Sequence, residues 1–302
     1  MPATRTLPGV LKGVRILSLA LNLPGPGALM RCKQMGATCV KLEPPAPRAL
    51  PPGTSGDPMG QYNKPAYAQL SAGVKIITAD LKSEAGQKAL HRELARTDVL
   101  LTSYRPSATE KLGLGWTALH KRYPALSHVA IVGAPGPRAE EPGHDLTYLA
   151  DNGLVTGLDL PATLYADMGG ALLATEAVLS AVLRQRASAK ARGVHVEVAL
   201  SEAAAWLALP RHWGLTVPAG AVGGAHAGYR VYPCKDGRVA VAALEPHFAA
   251  SLCAAAGVAA PDMRAMLTPA VRDAIAAFLL TRTRRQLDAL AVAKDIPLHT
   301  MA

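Results

Sequence analysis

Aromatic residues and cysteines are scarce in this chain of 302 residues. It has 3 Trp, 8 Tyr and 2 Phe, so a core must be built mainly from Ala, Leu and Val. Its 4 cysteines form no Cys-x-x-Cys pair and no cluster with histidines at zinc-binding spacing. We therefore predict no disulfide framework and no metal site, and we expect a reducing compartment.

Long apolar runs are also missing, because no stretch of about 18 residues is free of both charge and proline. The first residues, MPATRTLPGVLKGVR, lack the apolar segment of a signal peptide. With 50% hydrophobic and 18% charged residues, the chain is too apolar for a disordered protein and long enough for two domains. We expect a soluble cytoplasmic protein with no membrane partner.

An acidic partner is indicated by the formal net charge of +10. Nucleic acid is one candidate, but the basic residues are spread along the chain and do not interleave with aromatic residues into a stacking surface. The densest basic run, 184–192, follows a helical pattern and is predicted to be the solvated end of a helix. We expect no nucleic-acid partner, and a small polyanionic ligand would satisfy the same charge.

Strand and helix signals alternate through the first half of the chain. Short apolar runs such as VRILSLA, TCVKLEP and HVAIVG predict buried strands, and ALMRCKQMG carries apolar residues at helical spacing up to Gly36. Further strands are predicted at 75–79 and 98–102, with a helix at 83–94 between them. Such alternation favours the α/β class with a parallel, doubly wound sheet.

Later segments depart from this alternation. Residues 44–64 are rich in proline and glycine, which predicts a long surface loop. The clearest helix is predicted at 171–186. After Gly214, two short strands flank a Lys-Asp-Gly turn in YRVYPCKDGRVAVAAL, which predicts an antiparallel hairpin, and two helices follow it. A smaller α+β domain therefore follows the α/β part.

The glycines after the first strand are compatible with two interpretations. Gly25 and Gly27 have the G-x-G spacing of a dinucleotide-binding turn, but Met30 stands where a third glycine is needed. Glu43 ends the second strand, where such a fold carries a ribose-binding acid. The simpler interpretation, that the glycines shape a strand-to-helix turn, is favoured over a nicotinamide site.

Three positions carry side chains suited to acid–base or nucleophilic chemistry. Asp167 comes just before Gly169 and Gly170 at the start of the long helix, beside backbone N–H groups that have no helical partner. His144 lies in PGHDLTY, and Glu245 lies in VAALEPHF at the exit of the hairpin. Taken singly, Asp167 and Glu245 are more typical of helix caps, and His144 of a surface or core residue.

Taken with their surroundings, these positions resemble the family III CoA-transferases (CaiB/BaiF type), and within them the α-methylacyl-CoA racemase branch. The resemblance covers essentially the whole chain, and its motifs occur in the family's order. The matching segments are LKGVRILSLA, MGATCVKLEPP, LSAGVKIITADLK, TDVLLTSYRPSATEKLGLGW, GHDLTYLADNGL, ADMGGALLATEAVLSAVLRQR, GVHVEVALSEAAA, VYPCKDGRVAVAALEPHF and DIPLHTM.

The resemblance implies a fold and an assembly. Residues 1–190 would form a Rossmann-like large domain, completed by about 270–302 from the other chain end, and 191–269 would form a linker and a small α+β domain. Members of the family are interlocked homodimers whose sites form between two chains. A homodimer is therefore implied here.

The resemblance also implies three catalytic residues. Asp167 matches the acid that is the nucleophile in the transferases and one of two bases in the racemases. His144 matches the second racemase base, and Glu245 matches the acid that pairs with that histidine and fixes its tautomer.

Binding residues are implied in the same way. Arg105 and Lys41 match positions that bind the phosphates of CoA. The family usually has Asn-Arg-Gly-Lys where this chain has Ser-Ala-Gly-Val at 71–74, and Lys75, the next residue, would partly replace the missing cations. The N–H groups at Gly169 and Gly170 would stabilise the oxygen of a developing enolate. The resemblance implies an acyl-CoA thioester as substrate and no cofactor beyond its CoA moiety.

Three functions are compatible with this resemblance. The favoured one inverts the 2-methyl stereocentre of an acyl-CoA, which needs acid–base groups on opposite faces, here Asp167 and His144. The second transfers CoA between carboxylic acids through a covalent intermediate on Asp167, and His144 and Glu245 then have no required role. The third, indicated by shortened loops such as GAPGP, is an acyl-CoA-binding protein with impaired catalysis.

Overall fold

A computed structural model describes residues 9–51, 54–188, 190–259, 262 and 264–302 of the chain. The chain divides into two compact units, one ending at Ala208 and the other spanning Leu209–Ala302. Each unit has its own buried apolar cluster, and each is described below by itself.

The first unit is built on a six-stranded sheet with the order β3-β2-β1-β4-β5-β6, in which every pair of neighbours is parallel. The strands are β1 (Arg15–Ser18), β2 (Thr38–Glu43), β3 (Lys75–Thr78), β4 (Val99–Thr102), β5 (Ser127–Val132) and β6 (His195–Ala199). The chain winds outward from β1 in both directions, which confirms the predicted doubly wound α/β sheet. Its topological switch point lies between β1 and β4, where sheets of this kind bind ligands.

Helices cover the strands of this sheet. They are α1 (Pro24–Gln34), α2 (Pro58–Tyr62), α3 (Lys64–Leu70), α4 (Glu84–Leu94), α5 (Pro106–Lys111), α6 (Trp116–Arg122), α7 (Asp145–Asp151), α8 (Tyr165–Arg186) and α9 (Leu200–Leu207). The main core lies where α1 and α8 pack on β1, β4 and β5, and its small side chains, such as Ala28, Ala174 and Val178, permit close packing. The core contains few aromatic side chains, and it is filled because the helices lie close to the sheet.

Helix α8 begins earlier in the chain than the predicted helix at 171–186, at Tyr165. Among the described residues it is the one helix long and apolar enough, by length and composition, to cross a membrane. Half of its apolar window is buried within the unit, and residues such as Ala174, Val178 and Val182 belong to the main core. This burial accounts for its apolar composition.

The predicted surface loop at 44–64 is wrong for its second part, since 58–62 and the start of α3 are helical and 52–53 lie outside the described residues. Asp57 caps α2 by accepting the N–H of Met59 at 2.9 Å, and Asn63 caps α3 by accepting the N–H of Ala66 at 3.1 Å. A proline stands in the first turn of each helix, where its missing N–H costs nothing. The start signals are present in the sequence, but the surrounding prolines and glycines mask them.

Gly25 and Gly27 lie in the first turn of α1, and their lack of a side chain serves helix packing. A Cβ at Gly25 would overlap Ala20 on the strand side, and one at Gly27 would lie 3.1 Å from the Cβ of Ala171 in α8. The glycines therefore shape the strand-to-helix turn, as the simpler interpretation of the sequence holds.

The second unit contains the antiparallel sheet β7-β8-β9, formed by β7 (Tyr229–Cys234), β8 (Gly237–Ala242) and β9 (Leu298–Met301). Its helices are α10 (Leu209–His212), α11 (Pro246–Ala255), α12 (Pro269–Leu280) and α13 (Arg284–Lys294). The predicted hairpin is β7 and β8. Val241 of β8 pairs with Leu298 of β9, and Ile275 and Leu287 from α12 and α13 join the same core.

These contacts change the domain boundaries implied by the resemblance. The structure places 270–302 in the second unit rather than in the large domain, because β9 extends the small sheet and α12 and α13 cover it. The first unit extends to Ala208 rather than to 190, because β6 is the edge strand of the large sheet and α9 packs on α8.

Candidate active site

A cavity of about 660 Å³ opens at the carboxyl ends of β1, β4 and β5, beside the switch point of the large sheet. Loops after these strands form its walls, and the starts of α7 and α8 contribute the charged groups. Its lining residues are Leu21, Asn22, Leu23, Pro24, Tyr62, Ser103, Tyr104, Arg105, Ile131, Val132, Gly133, Ala139, Glu141, Pro142, Gly143, His144, Asp145, Leu146, Tyr148, Leu164, Asp167 and Leu200. Two of the three predicted catalytic residues, Asp167 and His144, therefore line the same cavity.

Asp167 is the third residue of α8 and is partly buried. Its backbone N–H donates to Oδ1 of Asp145 at 3.0 Å, which satisfies one of the unpaired donors at the helix start. Burial and, to a smaller extent, the charge of Asp145 raise the pKa of Asp167, His144 lowers it, and the resulting pKa is about 6. A carboxyl group with this pKa exchanges its proton near neutral pH, as a catalytic acid or base requires.

His144 is the residue that precedes α7, and it is exposed on the cavity side. Its backbone N–H donates to Oγ1 of Thr147 at 3.1 Å, which fixes the chain at the start of the helix. Behind it, Asp145 is buried and bonded to Asp167, so the two helix starts are linked directly. This link brings His144 and Asp167 together although they are distant in sequence.

Tyr148 is a cavity residue that sequence reasoning missed. It lies on the inner side of α7, is mostly buried, and directs its hydroxyl between Gly133 and Gly143. Burial and the charge of Asp167 raise the pKa of this phenol, whereas the charge of Arg105 lowers it. The signal was available in GHDLTY, since a residue four positions after His144 lies on the same face of a helix.

Arg105 lies at the start of α5, is exposed, and lines the cavity after β4. Its guanidinium forms no ion pair within 4.0 Å in the described part of the chain. A cation at this place is suited to an anionic ligand, and the phosphate-binding role that the resemblance implies for Arg105 stays a prediction.

Gly169 and Gly170 do not have the role that the sequence suggested. Because α8 begins at Tyr165, their N–H groups lie beyond the unpaired first turn and are available to bond within the helix. A Cβ at Gly170 would overlap Leu200 of α9, and one at Gly169 would lie 3.2 Å from Leu207 and 3.4 Å from Ala203. The glycines allow α8 and α9 to pack closely, and they do not present N–H groups to an enolate.

Lys41 is also placed differently from the prediction. It is 2% exposed, and its ammonium bonds to Asp57 and lies 2.9 Å from Oε1 of Glu43. Glu43 in turn accepts hydrogen bonds from Ser55 at 2.6 Å and Tyr67 at 2.8 Å. Lys41 therefore has two internal carboxylate partners rather than a phosphate, and Glu43 is buried with its oxygens occupied rather than free for a ribose.

The remaining predicted residues are not among those that line the cavity. Lys75 is exposed on the edge strand β3, aligned with Val40 at the amino end of that strand, whereas the cavity lies at the carboxyl ends. Glu245 is exposed in the second unit, at the position that precedes α11. In the described ranges no group of three His, Cys, Asp or Glu side chains is arranged to hold a metal ion.

Comparison with known proteins supports the resemblance seen in the sequence. The model of CoA-transferase family III matches residues 11–302. Alpha-methylacyl-CoA racemase of Mus musculus is 29% identical over 279 residues, which cover 86% of this chain and 68% of that protein. Cinnamoyl-CoA:phenyllactate CoA-transferase of Clostridium sporogenes is 36% identical over 152 residues, which cover 49% of this chain and 37% of that protein.

The fold has a close counterpart among solved structures. The crystal structure of the protein Rv3272 of Mycobacterium tuberculosis superposes with a TM-score of 0.79 at 24% identity, over 95% of this chain and 82% of that one. At this identity the likeness concerns the fold alone. The matched segments span half or less of the length of several curated relatives, at 37%, 50% and 50% of their chains.

Proposed function

The chain belongs to CoA-transferase family III, and on that premise we propose that it is an acyl-CoA racemase or epimerase that inverts the 2-methyl stereocentre of an acyl-CoA thioester. One observation carries the proposal: Asp167, with its pKa raised to about 6, shares a single cavity with His144. Two groups able to move a proton are what inversion beside a thioester requires.

The proposed reaction moves one proton off the substrate and another on. The carboxylate of Asp167 removes the proton from the carbon beside the thioester, and the electron pair shifts to the carbonyl oxygen as an enolate. Protonated His144 then delivers a proton to the opposite face of that carbon, which restores the thioester with inverted configuration. The reverse direction exchanges the two roles, and nothing is oxidised or reduced.

Arg105 is proposed to bind a phosphate of the CoA moiety, on the strength of its exposed guanidinium at the cavity. No cofactor beyond the CoA of the substrate enters this proposal. The role of Glu245 as partner of His144 and the interlocked homodimer rest on the family resemblance, and a cytoplasmic location rests on composition and resemblance.

A CoA-transferase is the second candidate, because several relatives of this chain carry that name. In that reaction the carboxylate of Asp167 attacks the thioester carbonyl and releases CoA as its thiolate, which leaves a mixed anhydride. The thiolate then attacks the aspartyl carbonyl of the anhydride, releases the carboxylate product and leaves CoA on Asp167 as a thioester. An acceptor carboxylate takes the CoA by the reverse steps, and His144 has no required role.

Deuterium exchange tests the proposed racemase. In D₂O, an optically pure 2-methylacyl-CoA should incorporate deuterium beside the thioester and lose optical purity, and NMR together with chiral analysis of the released acid follows both changes. Adding a free carboxylate acceptor to a second tube measures CoA transfer. Transfer without deuterium incorporation would replace the racemase proposal with the transferase.

The rate of exchange should depend on pH through Asp167. Since Asp167 must be deprotonated to remove the proton, the acidic limb of kcat/KM in that direction should rise through about pH 6, rather than near the ordinary aspartate value of 3.8. Burial is the larger cause of the raised pKa of Asp167, and the Asp145→Asn variant removes the second cause, the charge of Asp145, while it keeps an oxygen to accept the N–H of Asp167. We expect its acidic limb to move to lower pH, and an unchanged limb would remove Asp167 as the group that titrates.

A further inference from the structure

A buried group of charges lies behind one side of the cavity. Lys41 and Asp57 are 2% and 0% exposed, respectively, and they form an ion pair, with Glu43 as a second carboxylate on Lys41. None of the three is among the residues that line the cavity. Burying charges in this way costs more free energy than an apolar core of equal volume, so the stability of the fold is a weak explanation for it.

Asp57 connects this buried group to the cavity through its second oxygen. Oδ1 of Asp57 accepts the backbone N–H of Asn22 at 3.1 Å and that of Met59 at 2.9 Å. The first bond fixes the loop after β1, and the second fixes the start of α2, the helix that ends at Tyr62. One carboxylate thus sets the backbone of two segments that line the cavity.

Asn22 has a backbone conformation that non-glycine residues rarely adopt. Its φ is +64°, in the left-handed region, and such a conformation persists where the surrounding contacts impose it. Here the contact is the bond from the N–H of Asn22 to Asp57. This conformation leaves Asn22 among the residues that line the cavity.

Tyr62 completes this side of the cavity. Its ring is 66% exposed at the cavity, and its hydroxyl lies 3.5 Å from Oδ1 of Asn22. Partial desolvation and the charges of Asp57 and Asp167 raise the pKa of Tyr62, so the phenol lies within the field of the reacting carboxylate. We call Asn22 and Tyr62, which both line the cavity, the polar wall.

We propose that Asp57, held by Lys41, is a positioning residue that fixes the polar wall of the cavity that also holds Asp167, and that the polar wall contacts the acyl end of the bound acyl-CoA. The inference rests on the proposed function for its ligand, an acyl-CoA. It assigns Lys41 a structural role in the site in place of phosphate binding. It also explains why a costly buried ion pair lies directly behind a reactive cavity.

Binding measurements separate the acyl end from the CoA end. Titration calorimetry with 2-methyloctanoyl-CoA and with free CoA gives the ratio of the two affinities for each variant. Tyr62→Phe removes only the hydroxyl, and Asn22→Gly removes the amide while accepting the left-handed backbone. We expect each to weaken acyl-CoA binding by about tenfold and to change CoA binding by less than about twofold. Tyr229→Phe, at an exposed tyrosine of the second unit, is the matched control.

Asp57 is tested against a second acid of the same buried group. Asp57→Asn and Glu43→Gln each remove one buried charge beside Lys41, but only Asp57 is bonded to Asn22. Both variants should lower the thermal midpoint, whereas only Asp57→Asn should lower the affinity ratio. If Asp57 acts through Asn22 and Tyr62, adding Asp57→Asn to the Asn22→Gly/Tyr62→Phe double variant should change acyl-CoA binding by less than about twofold.

Two results of these binding measurements would contradict the proposal. Unchanged affinity ratios in both Tyr62→Phe and Asn22→Gly would exclude contact with the acyl end, even if Asp57→Asn failed to fold. Equal ratios in Asp57→Asn and Glu43→Gln would reduce Asp57 to a stabilising residue. A wild-type protein that binds 2-methyloctanoyl-CoA without exchanging deuterium would contradict the racemase function alone, because the ratios are measured without turnover.

Discussion

Replacing Asp167 by Asn is expected to lower the rate of deuterium exchange by on the order of 10³-fold or more, because an amide neither removes nor returns a proton at this pH range. The substitution keeps the size of the side chain and leaves the bond from its backbone N–H to Asp145 in place. Binding of 2-methylacyl-CoA should therefore persist, which calorimetry checks. A variant that retains exchange within about tenfold would exclude Asp167 as the base.

The same variant should not be less stable than the wild type near neutral pH. Because the folded protein raises the pKa of Asp167 from 3.8 to about 6, the folded state binds this proton more tightly than the unfolded chain. The associated stability is present below about pH 4 and is lost as the pH rises through about 6. Asn carries no such charge, so its thermal midpoint at pH 7.5 should equal or exceed that of the wild type, and this advantage should fade at pH 4. If the thermal midpoint of Asp167→Asn at pH 7.5 is lower than that of the wild type, misfolding would explain the lost activity.

His144→Ala is the second substitution with a large expected effect. Racemisation should fall by about 10²- to 10⁴-fold, because the enolate then has no partner on its second face. Transfer of CoA to a carboxylate acceptor, where it occurs, should remain largely intact, since that reaction needs only Asp167. The two assays are run on one preparation, with free CoA binding as the control for folding.

The location of His144 indicates that its replacement by alanine should leave the start of α7 folded. The hydrogen bond from His144 to Thr147 at the start of α7 is donated by the backbone N–H, which alanine retains. Added imidazole should restore part of the exchange, because the histidine is exposed at an open cavity. Equal loss of transfer in His144→Ala and Asp167→Asn would contradict the separation of their roles.

The alternation of apolar runs and helical patterns was sufficient to predict the large sheet. Strands such as β1 and β5 are mostly buried on both faces, and their sequences, RILS and SHVAIV, carry short apolar runs instead of a strict polar–apolar alternation. The hairpin of β7 and β8 was predicted from two short strand patterns on either side of a Lys-Asp-Gly turn. Periodicity and turn chemistry are local, so they carry over to the folded chain wherever neighbours in sequence are neighbours in space.

The site was less accessible to such reasoning. Asp145 and Asp167 are 22 residues apart in sequence, and only the packing of α7 beside α8 brings them together. The pairing of Asp167 with His144 was predicted from resemblance, and spacing alone would not have found it. No local pattern indicates that Asp57, 16 residues after Lys41, neutralises that lysine.

Gly169 and Gly170 illustrate the remaining difficulty. A pair of glycines beside an acid at a helix start is compatible with an anion site and with close helix packing. The local sequence pattern does not show which other element packs against the glycines, and that contact distinguishes the two roles. The position of α9 decides it, since Leu200 and Leu207 occupy the space beside both glycines. Such outcomes depend on tertiary contacts, and local patterns do not encode them.

The hydroxyl of Tyr148 between Gly133 and Gly143 has a consequence for how this cavity can diversify. Any side chain at either glycine would meet the phenol, so substitutions there are accessible only after the tyrosine has become smaller. The three positions therefore form one unit of sequence variation, in which the order of mutations matters. A combinatorial library built to alter the acyl preference should vary them jointly, because single-site libraries at the glycines would sample almost only clashes.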